Sequence, residues 1–90
     1  MYKIKQMTSP ASGNPVANQF KIYTPKGVYF QSYDSIIALV DNKRNIILDE
    51  YYHDYSRTTS KYLTKFLGLN TQERKNQIKN KKIKLKNLNK

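Results

Sequence analysis

The side chains that could do chemistry are few. His53 is the sole histidine, and with Asp54 and Ser56 it nominally supplies a base, an orienting acid and a hydroxyl nucleophile. Folding, not adjacency, assembles such a triad, and no nucleophile elbow or oxyanion-supplying glycine motif accompanies these three. Three scattered glycines cannot build a phosphate loop. One histidine, six acidic residues and no cysteine offer no metal-ligand set of recognisable spacing, so neither a metal nor an organic cofactor is expected. The inventory reads as non-enzymatic.

Binding chemistry is better represented. Seventeen Lys and Arg against six Asp and Glu leave a formal charge of +11 over 90 residues. The excess is uneven. Residues 1–49 hold six basic and three acidic side chains, residues 50–90 eleven and three, and from Arg74 to the end there are eight cations and no acid. Such a field attracts polyanions. AT-rich coding, which favours Lys and Asn codons, is a bland origin for part of it, but the attraction to phosphate follows either way. Eight tyrosines accompany the charge, three of them in Tyr51-Tyr52-His53-Asp54-Tyr55, which runs into Arg57 and Lys61. Aromatic faces stack on unpaired bases while neighbouring cations hold the backbone. The competing role for each tyrosine is to cap a small core with its hydroxyl in water. The candidate nucleic-acid contacts are therefore Tyr51, Tyr52, Tyr55, Arg57, Lys61, Arg74, Lys75, Lys79, Lys81, Lys82, Lys84 and Lys86. The hydroxyl-rich stretch from Asp54 to Lys61 opens a helix and has two readings, an anion site on free amides or simple capping.

These groups must be positioned by a small fold. The pattern predicts one α+β domain spanning 1–90, a mostly antiparallel sheet of four to six strands with one helix on a face and a second towards the C-terminus. Residues 2–7 alternate weakly as a strand, and 8–18, rich in Ser, Pro, Gly and Asn, read as a loop. Gln19–Thr24 and Val28–Tyr33 flank Pro25-Lys26-Gly27 as a hairpin. Ile36–Val40 and Ile46–Glu50 follow as strands about a polar turn. Ser56, Thr58 or Thr59 can cap a helix whose apolar stripe is Tyr62, Leu63, Phe66 and Leu67, closed by Gly68. Asn70 with Glu73 forms a capping pair for a second helix over 71–80, polar except for Ile78. From Lys81 the period changes to two: Ile83 and Leu85 alternate with Lys82, Lys84 and Lys86, which predicts an edge strand, with a basic tail as the competing reading for 81–90.

The longest apolar run, Ile36–Val40, is far too short to span a bilayer, and the N-terminal residues lack a signal-peptide core. A soluble, intracellular protein is expected. The strings GNPVANQF (13–20), YFQSYDSIIA (29–38), LDEYYHDYSRTTSKY (48–62) and FLG (66–68) resemble small uncharacterised accessory proteins of tailed bacteriophages and related mobile elements. That pattern carries Trp where His53 stands and Gly where Ser60 stands, and it supplies no catalytic residue. The resemblance implies action in the host cytoplasm. Two functions fit: binding nucleic acid with low sequence specificity, or binding and inhibiting a host defence protein through an aromatic surface. A homo-oligomer joined along a strand edge is a third. DNA versus RNA, strandedness and oligomeric state are not encoded in any local pattern.

Overall fold

The computed structural model describes residues 3–9, 12–54 and 56–89. Six strands form one sheet in sequence order: β1 (Lys3–Thr8), β2 (Pro15–Thr24), β3 (Gly27–Ser32), β4 (Ser35–Asp41), β5 (Ile46–Asp49) and β6 (Ile83–Lys86). Every pairing is antiparallel except the last, in which β6 runs parallel to β5. A parallel neighbour needs a crossover. Here it consists of a 3₁₀ turn (Tyr52–Asp54) and the helices α1 (Arg57–Leu67) and α2 (Thr71–Lys79). The α+β class predicted from the sequence is the one observed.

The turns follow their local chemistry. Gly27 closes the β2–β3 hairpin at φ 146°, and a Cβ there would lie 2.3 Å from the Val40 carbonyl oxygen, so no larger residue fits. At the next turn Tyr33 takes φ 56° and donates its amide to the Asn18 carbonyl at 2.7 Å, so this residue leaves the strand expected to include it. Asp41 nucleates the β4–β5 turn, its Oδ1 accepting from the amides of Lys43 and Asn45, both at 2.9 Å. The expected loop over 8–18 is shorter than its composition suggests. The β1–β2 ladder reaches Thr8 and Pro15, and Pro is tolerated there because it begins the strand.

One sheet face carries the core. Met7, Phe30, Ile37, Ala38, Leu48 and Ile83 pack with Tyr62 and Leu63 of α1. A bulge in β4, where Phe30 opposes Ala38 and Gln31 opposes Ile36, lets Ile37 join Ala38 inside. Phe66 stacks on Phe30 with ring centres 5.6 Å apart, and the hydroxyls of Ser32 and Thr59 meet at 3.0 Å where α1 begins. Ser56 caps α1 by accepting from the Thr59 amide, Gly68 ends it in the left-handed region, and Asn70 with Glu73 completes the capping box of α2.

Arg74 overturns one expectation. It is 4% exposed, and its guanidinium donates to Thr64 Oγ1 (2.6 Å), the Leu69 carbonyl (2.9 Å), Ser60 Oγ (2.7 Å) and Thr71 Oγ1 (3.2 Å). A buried cation must have its donors satisfied, and these acceptors line the seam between the two helices. Arg74 is a joint of the fold, not a surface contact, and Ile78 is not the sole inward residue of α2. Lysine cannot reproduce this planar fork. We expect Arg74→Lys to lower stability by about 2 kcal/mol and Arg74→Ala by about 3 kcal/mol in urea unfolding. An unchanged midpoint for both would show that the seam holds without the guanidinium.

Candidate nucleic-acid interface

The region that gathers most of the candidate contacts is organised by Asp49, the last residue of β5 and 2% exposed. Its Oδ2 accepts from the amides of Tyr51 (3.1 Å) and Tyr52 (2.8 Å), which shapes the 3₁₀ turn. Its Oδ1 accepts from the Leu88 amide (2.8 Å) and from Asn89 Nδ2 (3.0 Å), just beyond β6. Asn89 in turn donates to the Ile36 carbonyl at 2.9 Å and accepts from the Ile36 amide at 2.6 Å, filling the ladder position that β5 leaves vacant. Burial pushes the Asp49 carboxyl up, but the amides of Leu88, Tyr52 and Tyr51 and the Asn89 side chain outweigh it, so the group lies below the usual carboxylate range. The tyrosine turn and the lysine strand are thus tied to one carboxylate. The Glu50 amide, donating to the Lys86 carbonyl at 2.9 Å, adds a second tie.

Around this joint the cations spread over the β6 edge. Lys84 lies opposite Ile47 and Lys86 opposite Asp49, so both point to the sheet face that lacks the helices, while Ile83 turns to the core. Leu85, expected inward with Ile83, is 41% exposed. Ile78, Ile83 and Leu85 line a mostly apolar groove of about 430 Å³ at the β6 edge, with Lys81, Lys84 and Lys86 along its border. Lys82 is exposed in the same turn, and Lys75 and Lys79 are exposed on α2. Tyr51 is 66% exposed and meets Tyr52 edge-on at 4.8 Å, whereas Tyr52 packs against the core.

The remaining candidates are not gathered here. Arg57 and Lys61 are exposed one turn apart on α1, which contacts β3 and β4 whereas α2 contacts β6. Lys61 holds its ammonium 5.7 Å from the Tyr62 ring. Tyr55 lies outside the described residues. At the start of α1 a cavity of about 580 Å³ is lined by Ser32, Asp34, Ser56 and Thr59 among others, with an acid and, among the described residues, no cation. Since Ser56 already serves the Thr59 amide, capping accounts for this hydroxyl-rich stretch. Ser56 also donates to Thr59 Oγ1 at 3.1 Å, and His53 faces Thr71, Lys75 and Ile78 on α2.

A second basic cleft had no signal in the sequence. Lys5 and Lys21 are cross-strand partners, and with Lys65 of α1 they line a hollow of about 230 Å³ beside Tyr23. The Lys5 ammonium stands 6.0 Å from the Tyr23 ring, and Lys65 donates to the carbonyl and hydroxyl of Thr8. Positions 5, 21 and 65 share no spacing, so only the strand register and the helix packing unite them.

The folded Asp49 carboxyl lies below its unfolded value, so its contribution is complete above the ordinary carboxylate range, near pH 4, and is lost as pH falls through the lower, folded value. We expect acidification to release the tail and the tyrosine turn together, read as faster amide exchange at Tyr51, Tyr52 and Leu88. Asp49→Asn should reproduce that release at neutral pH and cost about 2 kcal/mol. Unaltered exchange at Leu88 in that variant would show that the carboxylate does not hold the tail.

Among the described residues, no helix is long and apolar enough to cross a membrane, and no group of three or more His, Asp or Glu is placed to hold a metal ion. No curated protein and no solved structure matches the chain. One family model does match, over residues 2–84, from the first strand into β6 and including the whole crossover. The chain therefore belongs to the family described as Family of unknown function (DUF8033).

Proposed function

We propose that this is an accessory protein of a phage or mobile element that binds nucleic acid with low sequence specificity along its β6 edge. The observation that carries the reading is the concentration of Lys81, Lys82, Lys84 and Lys86 on one short, ordered segment, bordering a mostly apolar groove and tied through Asp49 to the exposed Tyr51. Phosphates meet cations held at fixed spacing, and a base can lie on the Tyr51 ring. Lysine contacts to phosphate carry no sequence information, which fits low specificity. Lys75 and Lys79 extend the positive surface along α2. The phage setting rests on the resemblance of the sequence strings, and the host cytoplasm follows from that setting.

Salt dependence tests the reading. Fluorescence anisotropy with a single-stranded oligonucleotide should give a log–log slope of about −0.7 per phosphate neutralised, and a duplex about −0.9. Replacing Lys81, Lys82, Lys84 and Lys86 together by Ser should weaken binding by roughly 10- to 100-fold at low salt and flatten that slope, with the circular dichroism spectrum unchanged. Binding that ignores both salt and these four substitutions would remove the β6 edge from the function. A defined, salt-tolerant protein partner would then favour the inhibitor reading.

A further inference from the structure

The sheet face turned away from the helices holds a continuous apolar row. Register partners run straight across the sheet: Ile4, Ile22, Tyr29, Leu39, Ile47 and finally Lys84. None of these belongs to the core cluster or packs against it, and Leu39, only 7% exposed, is buried outside that cluster. Ile22, Tyr29 and Ile47 are half-buried, and Ile4 is 65% exposed. Gln6, Phe20, Gln31 and Ile36 form a second, parallel row of mixed character. Core strands with one solvated face normally alternate apolar with polar. Here one row of the outer face stays apolar from Ile4 to Ile47, and a contiguous apolar stripe of this kind marks an interaction site.

We infer that a second copy of this chain covers the face, the two sheets packing as a sandwich about a two-fold axis parallel to the strands. This is independent of the nucleic-acid reading. The row is self-complementary under that axis. Tyr29 of one copy meets Leu39 of the other, Ile22 meets Ile47, and Ile4 meets the stem of Lys84, each contact occurring twice. Six strands, each about 4.8 Å wide, and five or so residues of strand give roughly 29 by 17 Å, about 500 Å² per copy or about 1,000 Å² for the pair, enough for a specific but modest association.

Charge selects the same arrangement. The row is neutral until Lys84, and the axis sends the β6 edges of the two copies to opposite rims, roughly 25 Å apart and well beyond the Debye length of about 8 Å. A two-fold axis at right angles to the strands would instead superpose the lysines. An acidic protein partner would find cations at only one end of the row. A nucleic-acid strand would find aliphatic side chains at most positions, which offer neither a stacking face nor a phosphate contact.

The test is sedimentation equilibrium of the full chain between about 1 and 200 μM at low and high salt. The expected result is a monomer–dimer equilibrium in the micromolar range that holds or tightens as salt rises, the reverse of phosphate binding. Ile22→Glu and Ile47→Lys should each give a folded monomer, because these positions become ordinary solvent-facing strand sites. Mixed in equal amounts, the two should form a heterodimer, since the axis sets residue 22 of one chain against residue 47 of the other. The milder Ile22→Thr and Ile47→Thr, each weakening the dimer at least tenfold, serve if a charged variant fails to fold. A monomer at every concentration, a dimer indifferent to both charged variants, or no recovery on mixing would overturn the arrangement. So would a monomer whose Ile22 and Ile47 methyl resonances shift on adding a single-stranded oligonucleotide, which would give the face to nucleic acid instead.

Discussion

The corner of the molecule where most candidate contacts meet depends on one buried carboxylate with four donors. Removing Asp49 from water is unfavourable, and it is tolerated because amides from two separate segments converge on it. One pair belongs to the turn that displays Tyr51. The other belongs to residues just past β6, which bring the lysine strand to its end and lead the chain back to Ile36. A charge-assisted contact of this kind joins residues some forty positions apart without any apolar surface, in a chain whose core is small.

Legibility divided along the line between local and distant interactions. The cap at Ser56, the left-handed Gly68 and the Asn70–Glu73 box are settled within four residues, and each is where its sequence signature points. The β2–β3 hairpin and the alternation at Ile83 are equally local. What could not be seen depended on partners far along the chain. Pro15 is a strand residue only because β1 lies beside it, and Arg74 is interior only because α1 presents a row of hydroxyls to it. To a composition count, Arg74 is one more basic residue of a basic segment. Its burial divides that segment into a structural cation and a set of exposed ones. Likewise the joining of Lys5, Lys21 and Lys65 required strand register, and Asp49 reads in the sequence as an ordinary acid at a strand end.

The two faces of the sheet answer different requirements. The helix side is closed by aromatic and aliphatic packing, while the opposite side keeps an uninterrupted apolar row up to Lys84. The lysines of β6 mark the border between them, and they also discourage further strands from adding at that edge. An apolar face and a charged edge thus share one sheet, and the two proposed associations, through the face and at the edge, would respond oppositely to salt.

The parallel pairing of β6 with β5 also orders the events of folding. β1 to β5 form a meander in which each strand joins the one just made, so loop closure is short at every step. The sixth strand must wait for both crossover helices, and contacts of long sequence separation form late. On a translating ribosome the five-stranded meander can therefore assemble while the groove of Ile78, Ile83 and Leu85 does not yet exist. The positive edge acquires its final shape only once Leu88 and Asn89 have emerged and closed on Asp49.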